Sequence, residues 1–465
     1  MHLIQQHPSS YRDPAGFIFV YNGEIYRQVN KSYQPSFSRL MNSGLYKTLE
    51  ATGKLISHEE VLIADLPHDE QRLLVLKPLQ IEQISYPVEW CFNALKDAAL
   101  LHLEIMMQSL EHGLILKDAT PYNIQFIRGR PLLIDTLSFD IYNEHLPWIA
   151  YRQFCETFLN PLLLEHYGKL FIHQCFATAK EGISAQQTAA LLPGRARYRL
   201  DCWLHVFLPA RITSTNSERK IPPAFSKQKM QQLITHLSGF VRSLHSAKRS
   251  VAQWNSYYST SILGEGYLEN KTRIFEAILQ HKVFSDLSSQ MVLDIGANNG
   301  HFSKLLVNRA RHVTAIDNDD PSINELYTEV KTRNLSMLPL VVDISDPTPA
   351  SGFGNDAYAS FLNRIKPDVI IALAVVHHLA ISRGLPLRML AAFLSKHCNT
   401  LIIEFVPKED PKVRQLLAHR PDTFEDYTQQ HFEEIFGECF SLLDKKEVPG
   451  TMRTIYLYTA STGTV

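Results

Sequence analysis

The pattern of hydrophobic and polar positions changes twice along the chain. In the first ~80 residues, short β-rich runs flank turn signals, as in the two halves of GFIFVYNGEIYRQV. From Glu89 the run WCFNALKDAALLHLEIMMQSLEHG has apolar residues at three- and four-residue spacing, which predicts a long helix that ends at His112 and Gly113. Residues 145–250 also have mostly helical spacing. The N-terminal half is therefore predicted to be an α+β domain with a helical extension.

The C-terminal half alternates all-apolar runs with segments of helical spacing. The apolar runs are MVLDIG, HVTAID, LPLVVD, DVIIAL and TLIIEF. Strands that are apolar on both faces are typical of a parallel sheet covered by helices on both sides, so this half is predicted to be an α/β domain. A polar and aromatic stretch from Ser246 to Ser261 precedes the pattern. We therefore predict two domains, 1–250 and 251–465.

Composition narrows the functional classes. The 465 residues contain 46 Lys+Arg and 47 Asp+Glu, and a net charge of −1 gives no global signature of nucleic-acid binding. No apolar run reaches the ~18–20 residues of a membrane-spanning helix, and the first residues lack the pattern of a secretory signal. The six cysteines are scattered without a CxxC pair, which predicts reduced thiols and a cytoplasmic location.

The strongest chemical signal is the stretch MVLDIGANNGHFSKLL. A predicted strand ends at Asp294, and a turn with Gly296 and Gly300 leads into a helix. Such a turn lets the backbone approach a ligand closely and points helix N–H groups at the ligand's polar atoms. Its GxxxG spacing differs from the GxGxxG of dinucleotide-binding enzymes. The next two strands end in Asp317, which is placed for ribose hydroxyls, and Asp343, which is placed for an adenine amine.

Residues 250–465 resemble the class I S-adenosylmethionine-dependent methyltransferases on these motifs. The resemblance implies a Rossmann-like sheet that ends in an antiparallel hairpin, with S-adenosylmethionine as the cofactor. It also implies that the glycine-rich turn holds the methionine part, the second acid the ribose and the third the adenine. Asn298 stands where the commonest motif has glycine, but the turn requires only a residue tolerant of unusual φ. The implied cofactor-binding residues are Asp294, Gly296, Asn298, Gly300, Asp317 and Asp343.

The segment LAVVHHLAI follows the predicted fourth strand, where substrate-facing residues of this family often lie. His377 or His378 is a candidate catalytic residue that removes a proton from an acceptor, because the reference pKa of histidine is about 6.5. Either ring could instead shape the methionine pocket or pack as a polar core residue. Glu404, which ends the fifth strand, either lines the acceptor site or only caps the strand.

A second group of polar residues lies in LILKDATPYNIQFIRGRPLLIDTLSF. Asn123 follows Asp118 by 5 positions, and Asp135 follows Asp118 by 17 and ends an apolar run. This spacing resembles the catalytic loop and metal-binding aspartate of protein-kinase-like and aminoglycoside-phosphotransferase-like enzymes, over residues 10–170. The resemblance implies that Asp118 orients an acceptor hydroxyl, while Asn123 and Asp135 hold Mg²⁺ against the phosphates of ATP.

The N-terminal half departs from that pattern in several places. Leu116 and Lys117 replace the His-Arg or His-Gly that usually precedes the first aspartate, and Thr136 stands where a Phe or Trp is common. The sequence has no clear glycine-rich phosphate loop, and Lys31 and Lys77 are the candidates for the phosphate-pairing lysine. These residues fit either an active phosphotransferase or a kinase-like shell that binds a ligand or serves as a scaffold.

The whole chain resembles a bacterial group of nodulation-protein-related methyltransferases with a kinase-like N-terminal half. This resemblance implies a methyltransferase with an unidentified small-molecule or glycan acceptor. One alternative is a bifunctional kinase–methyltransferase, similar to enzymes that phosphorylate the end of a glycan chain and methylate that phosphate. The other is a non-catalytic protein in which both halves bind ligands. Binding of S-adenosylmethionine and of ATP, measured separately, distinguishes the three.

Overall fold

The computed structural model describes residues 5–11, 13–211, 225–247, 266–418 and 422–461. The chain divides into two compact units, one of Met1–Arg249 with Pro349–Ser360 and the other of Ser250–Thr348 with Phe361–Val465. The junction predicted at 250/251 lies outside the described residues. Residues 349–360, which the sequence analysis includes in the second domain, belong to the first unit in the structure.

The first unit begins with a five-stranded antiparallel sheet and continues with two short strand pairs. In chain order its strands are β1 (Gln5–Gln6), β2 (Gly16–Tyr21), β3 (Glu24–Asn30), β4 (His58–Val61), β5 (Arg72–Pro78), β6 (Leu114–Leu116), β7 (Ile124–Ile127), β8 (Arg130–Leu133) and β9 (Phe139–Ile141). The order across the large sheet is β1-β2-β3-β5-β4, and β6 pairs with β9 and β7 with β8. One face of the large sheet packs on a core that includes Val29, Leu76 and Leu137.

Helices make up the rest of the first unit, as the sequence predicted. They are α1 (Gln34–Asn42), α2 (Leu45–Ala51), α3 (Phe92–Glu111), α4 (Tyr151–Phe154), α5 (Asn160–His166), α6 (Ile172–Thr178), α7 (Ala185–Leu191), α8 (Leu200–Cys202), α9 (Leu208–Arg211) and α10 (Lys227–Ser243). The long helix predicted after Glu89 is α3, which buries most of its apolar residues. Its three- and four-residue spacing places them on a continuous inward face.

The second unit contains a seven-stranded mixed sheet. Its strands are β10 (Met291–Ile295), β11 (His312–Asp317), β12 (Met337–Val341), β13 (Val369–Ala372), β14 (Thr400–Phe405), β15 (Phe440–Glu447) and β16 (Thr454–Ala460). The order is β12-β11-β10-β13-β14-β16-β15, with the first five parallel and the last two antiparallel. Strand order reverses beside β10, which opens a crevice at the carboxyl ends of β10 and β13. The predicted Rossmann-like α/β fold with a closing hairpin is confirmed.

The helices of the second unit connect these strands. They are α11 (Tyr267–Ile278), α12 (His301–Lys304), α13 (Asp320–Arg333), α14 (Phe361–Arg364), α15 (Leu387–His397), α16 (Pro411–Leu417) and α17 (Gln429–Cys439). Helix α13 begins at the side-chain cap of Asp319 and ends at Asn334, whose φ of 54° is left-handed. Among the described residues of both units, no helix is long and apolar enough to cross a membrane.

Candidate functional site

A cavity of about 230 Å³ lies at the carboxyl ends of β10, β11 and β13. Apolar side chains form much of its wall, and polar groups converge on one side of it. Four of the predicted cofactor-binding residues line the cavity, namely Gly296, Asn298, Asp317 and Asp343. Asp294 and Gly300 lie outside the lining. A concave apolar site with a few converging polar groups is the usual form of a cofactor site.

The turn after β10 needs left-handed backbone at three positions. Gly296, Asn298 and Gly300 have φ values of 73°, 50° and 71°. A Cβ atom on Gly296 would lie 2.5 Å from a methyl group of Val375, and one on Gly300 would lie 2.6 Å from Leu326. Asparagine tolerates this region better than most residues, which explains how Asn298 replaces glycine. The two glycines therefore allow close packing around the turn.

Asp317 ends β11 with its carboxylate at the cavity wall. One oxygen accepts the Asn298 N–H at 2.8 Å and the other accepts the Asp319 N–H at 2.9 Å. A carboxylate has roughly four acceptor positions, so these two bonds orient the group and leave acceptor capacity for a ligand. Burial raises the pKa of Asp317, and the backbone N–H groups oppose that rise. The arrangement fits a pair of ribose hydroxyls.

Asp294 has a structural position behind the turn. It is 3% exposed, and its carboxylate accepts a hydrogen bond from the Ser303 hydroxyl on α12. Burial raises the pKa of Asp294 to about 7, and the Ser303 hydrogen bond opposes the rise. Asp294 therefore connects the end of β10 to α12 and positions the turn between them. A direct contact with a cofactor stays a prediction.

Asp343 lies two residues beyond β12 and lines the cavity. One of its oxygens accepts from the backbone N–H and the hydroxyl of Ser345, and the other pairs with Arg383. The Arg383 side chain is 51% exposed, so a ligand that replaces it at Asp343 meets little packing resistance. The contact between Asp343 and adenine stays a prediction, and Arg383 lies at one of the two oxygens that such a contact would use.

The two adjacent histidines have different surroundings. His378 lines the cavity, whereas His377 is fully buried outside the lining. Burial, with positive charge from Arg453 and Lys412, lowers the pKa of His378 to about 4. Burial also lowers the pKa of His377 well below its usual value, and neither of its ring nitrogens has a hydrogen-bond partner. Both rings are neutral at physiological pH, and His378 is a weak base.

Glu404 belongs to a buried ionic cluster that the sequence analysis missed. Its Oε2 lies 2.6 Å from Lys271 Nζ, and both side chains are 0% exposed. Arg453, also fully buried, pairs with Asp410 and donates to the Tyr267 hydroxyl at 2.6 Å. Helix α11, the end of β14, the cap of α16 and the residue before β16 supply these groups from distant parts of the sequence. No local pattern marks Lys271 or Arg453 as buried.

The second predicted constellation lies in the first unit, in the order β6, loop, β7, β8, Asp135 and β9. The structure brings Asn123 and Asp135 together, since the amide of Asn123 donates to a carboxylate oxygen of Asp135 at 3.2 Å. Asp118 is near enough for the charge of Asp135 to raise its pKa, after the larger effect of burial. The loop and strand order match the predicted layout. The kinase-like assignment stays a prediction.

Four groups donate to the carboxylate of Asp135. They are Asn123 and Ser138 on one oxygen, and Arg27 and the Leu137 N–H on the other. Burial raises the pKa of Asp135, but Arg27 and the hydrogen bonds outweigh it and hold the pKa below its usual value. A magnesium ion would have to displace these donors. Within the described ranges, no group of three or more His, Cys, Asp or Glu side chains is arranged to hold a metal.

One of the two candidate lysines, Lys77, is engaged with another residue. Lys77 on β5 pairs at 2.9 Å with Glu24 on the neighbouring strand β3. The basic residue against Asp135 is Arg27 on β3. The run EIYRQV was predicted to be a strand, but Arg27 was missed because an arginine in a half-buried strand has no distinguishing local pattern.

No protein-family model matches the chain. Its sequence is 31% identical over 467 residues to the nodulation protein NoeA of Rhizobium meliloti (strain 1021), and this match covers 97% of the chain and 95% of that protein. The predicted resemblance to nodulation-related proteins is confirmed.

Solved structures of methyltransferases also match part of the chain. The N-methyltransferase NodS from Bradyrhizobium japonicum WM9 has 14% identity and a TM-score of 0.30, and covers 41% of this chain and 97% of its own. The magnesium protoporphyrin IX methyltransferase ChlM from Synechocystis PCC 6803 has 16% identity and a TM-score of 0.32, and the match covers 45% of this chain and 93% of ChlM. WbdD, a bifunctional kinase–methyltransferase, has 18% identity and a TM-score of 0.31, and the match covers 48% of this chain and 46% of WbdD. The fold assignment rests on the strand order itself.

Proposed function

Because the chain belongs to the family of the nodulation protein NoeA, we propose that it is an S-adenosylmethionine-dependent methyltransferase with a small-molecule or glycan acceptor. The observation that carries this proposal is the position of Asp317. Two backbone N–H groups orient its carboxylate at a cavity beside a left-handed, glycine-containing turn. Its remaining acceptor capacity suits the two hydroxyls of a ribose.

The residues around the cavity fit the parts of this cofactor. Gly296 brings backbone to the wall without a side chain, which suits the methionine part. Val342 and Ile344 give an apolar wall on either side of Asp343, which suits the adenine. When bound, S-adenosylmethionine supplies an electrophilic methyl group on a sulfonium. The protein's task is then to position the acceptor and exclude water from it.

We propose that His378 acts as a neutral hydrogen-bonding residue at the cavity. A group with a pKa of about 4 holds an abstracted proton poorly at neutral pH, which weakens the case for proton removal. His377, buried behind it, contributes to the polar interior. The acceptor nucleophile would release its proton to solvent, before or after methyl transfer.

We propose that the first unit recognises the acceptor or serves as a scaffold. The four donors on Asp135 favour this role over magnesium-dependent phosphoryl transfer, in which that carboxylate must face the metal. The two-domain division at residues 250 and 251 is part of the same proposal.

The proposal is tested by isothermal titration of the full-length protein with S-adenosylmethionine. We expect binding in the micromolar range, about −8 kcal/mol. Asp317→Ala should weaken it by roughly 1.5–3 kcal/mol, since the ribose loses its charged acceptor. Asp286→Ala, an exposed residue outside the cavity, is the matched control. Absence of binding by folded protein, or equal affinity of wild type and Asp317→Ala, would refute the site.

A further inference from the structure

A shallow concave surface of about 420 Å³ lies in the helical part of the first unit. We call it the cationic bowl, and its residues are His166, Tyr167, Arg195, Arg199 and His245. They come from the end of α5, the short helical turn Gly194–Tyr198 and the segment after α10. Three separate elements thus bring two arginines and two histidines to one depression.

Aromatic rings support both arginines. The guanidinium of Arg195 lies 5.8 Å from the ring centre of Tyr167, and that of Arg199 lies 5.7 Å from the ring centre of Phe240. A guanidinium held against a ring loses less freedom when it binds a ligand. The bowl therefore presents partly ordered, planar donors, which suit the oxygens of a phosphate or carboxylate.

Two acids lie beside the bowl. Asp201 pairs with Arg199 at 3.5 Å, and its other oxygen lies 3.1 Å from His236. Glu165 is buried, and its two oxygens accept from the Ser246 hydroxyl and the Ile172 N–H. Asp201 therefore offsets part of the charge of Arg199, whereas no acid among the described residues pairs with Arg195.

His166 lies beside these positively charged groups. Its Nδ1 lies 2.9 Å from the His245 carbonyl oxygen, and the two rings meet edge to face at 4.5 Å. Burial lowers the pKa of His166, and the charges of His245, Arg199 and Arg195 lower it further, against the effect of the carbonyl. A bound anion would reverse the charge effect and favour the protonated ring.

We propose that the cationic bowl is a binding site for a doubly charged oxyanion, either the phosphate group of a sugar phosphate or free phosphate. The site is independent of the methyltransferase assignment, because every residue that lines it belongs to the first unit. Arg195 and Arg199 supply the hydrogen bonds, and His166 adds a charge once the anion is bound.

The proposal has a definite pH dependence. An anion that raises the pKa of His166 takes up a proton on binding, and by linkage its affinity increases as the pH falls. One linked proton increases the affinity for the anion at most about tenfold for each unit by which the pH falls. Sulfate is the probe for this measurement, because it remains doubly charged between pH 5.5 and 8.

The first experiment measures sulfate and inorganic phosphate binding to the full-length protein by calorimetry at constant ionic strength. Arg195→Ala and Arg199→Ala should each weaken binding about tenfold, the effect of a charge-assisted contact at a partly exposed site. The matched control is Arg197→Ala, since Arg197 lies in the same turn but over the Phe207 ring, outside the bowl. No binding at tens of millimolar sulfate, or an equal loss in Arg197→Ala, would overturn the proposal.

The second experiment uses His166→Gln, which keeps a polar side chain but does not titrate. Wild type should bind sulfate more tightly at pH 5.5 than at pH 8, while the variant should lose most of that dependence. The affinity for mannose 6-phosphate is then compared with the affinity for inorganic phosphate, which identifies the molecule that carries the bound phosphate group. Tighter binding of the sugar phosphate, also reduced by Arg195→Ala, identifies a sugar phosphate as the ligand, and tighter binding of inorganic phosphate identifies free phosphate. An unchanged pH profile in the variant would contradict the role of His166.

Discussion

The guanidinium of Arg27 on β3 donates to the carboxylate of Asp135, 108 residues further along the chain. Their side chains are 14% and 13% exposed, so solvent screens the pair only weakly. The pair occupies an oxygen that a magnesium-dependent phosphotransferase would need for its metal. It therefore bears directly on what the first unit does.

We predict that ATP with magnesium does not stabilise this protein. A ligand that binds the native state raises the melting temperature, and the magnesium-dependent part should be absent because Asp135 keeps its protein donors. Thermal unfolding at millimolar ATP, with and without magnesium, measures this. Arg27→Met should lower the stability by about 2–3 kcal/mol, because it leaves Asp135 without its charged partner. A magnesium-dependent rise that Asp135→Asn abolishes would instead favour the bifunctional enzyme.

Asp294 should make the stability fall as the pH rises towards neutrality. Its pKa is about 7 in the folded protein because of burial and about 3.9 when unfolded, so between these values the native state holds a proton that the unfolded state has lost. Asp294 contributes its full stabilisation below about pH 4. Its contribution to the free energy of unfolding then declines by up to about 1.4 kcal/mol per pH unit until about pH 7.

Asp294→Asn tests this contribution, since asparagine can still accept from Ser303. Urea unfolding from pH 5 to 8 should show a shallower decline for the variant than for wild type. Asp286→Asn, at an exposed position, is the control and should follow wild type. Parallel curves for wild type and Asp294→Asn would mean that Asp294 is ionised throughout.

Gly296→Ala should destabilise the second unit and weaken S-adenosylmethionine binding. The new methyl group meets a methyl of Val375 at 2.5 Å, and the φ of 73° adds strain. We expect a loss of about 2–4 kcal/mol in urea unfolding. Adding Val375→Ala to the Gly296→Ala variant should restore the part of the stability that is lost through the steric clash. Gly384→Ala, with a φ of 70° and no neighbouring atom within 4 Å, should show only the backbone part of about 1–2 kcal/mol.

Residues 349–360 should determine whether a C-terminal fragment of the chain aggregates. In the first unit the ring of Tyr358 lies 4.8 Å from that of Tyr122 and 5.6 Å from that of Tyr86. A fragment of residues 246–465 lacks both partners and exposes Tyr358. We expect it to aggregate, whereas the same fragment with 349–360 replaced by a short Gly/Ser linker should stay monodisperse in gel filtration. Identical behaviour of the two fragments would show that this segment does not limit folding of the second unit.

Much of the second unit follows from its sequence. Apolar runs of five or six residues predicted its parallel strands, and parallel strands end at a common edge. Asp317, Gly296 and Asn298 could therefore be assigned to one site from their positions after strands. The same reasoning predicted a cofactor contact for Asp294. Its carboxylate accepts a hydrogen bond from Ser303 behind the turn, and the contact with a cofactor stays a prediction.

The sequence by itself determined the periodic elements, the strand-end residues and the left-handed turn, because each depends on neighbours along the chain. The tertiary structure alone decided which distant charges meet. Arg27 with Asp135, Lys271 with Glu404 and the cationic bowl all join separate elements. Burial of a charge is favourable only when an opposite charge or a donor arrives from elsewhere in the fold, and local periodicity carries no information about that partner.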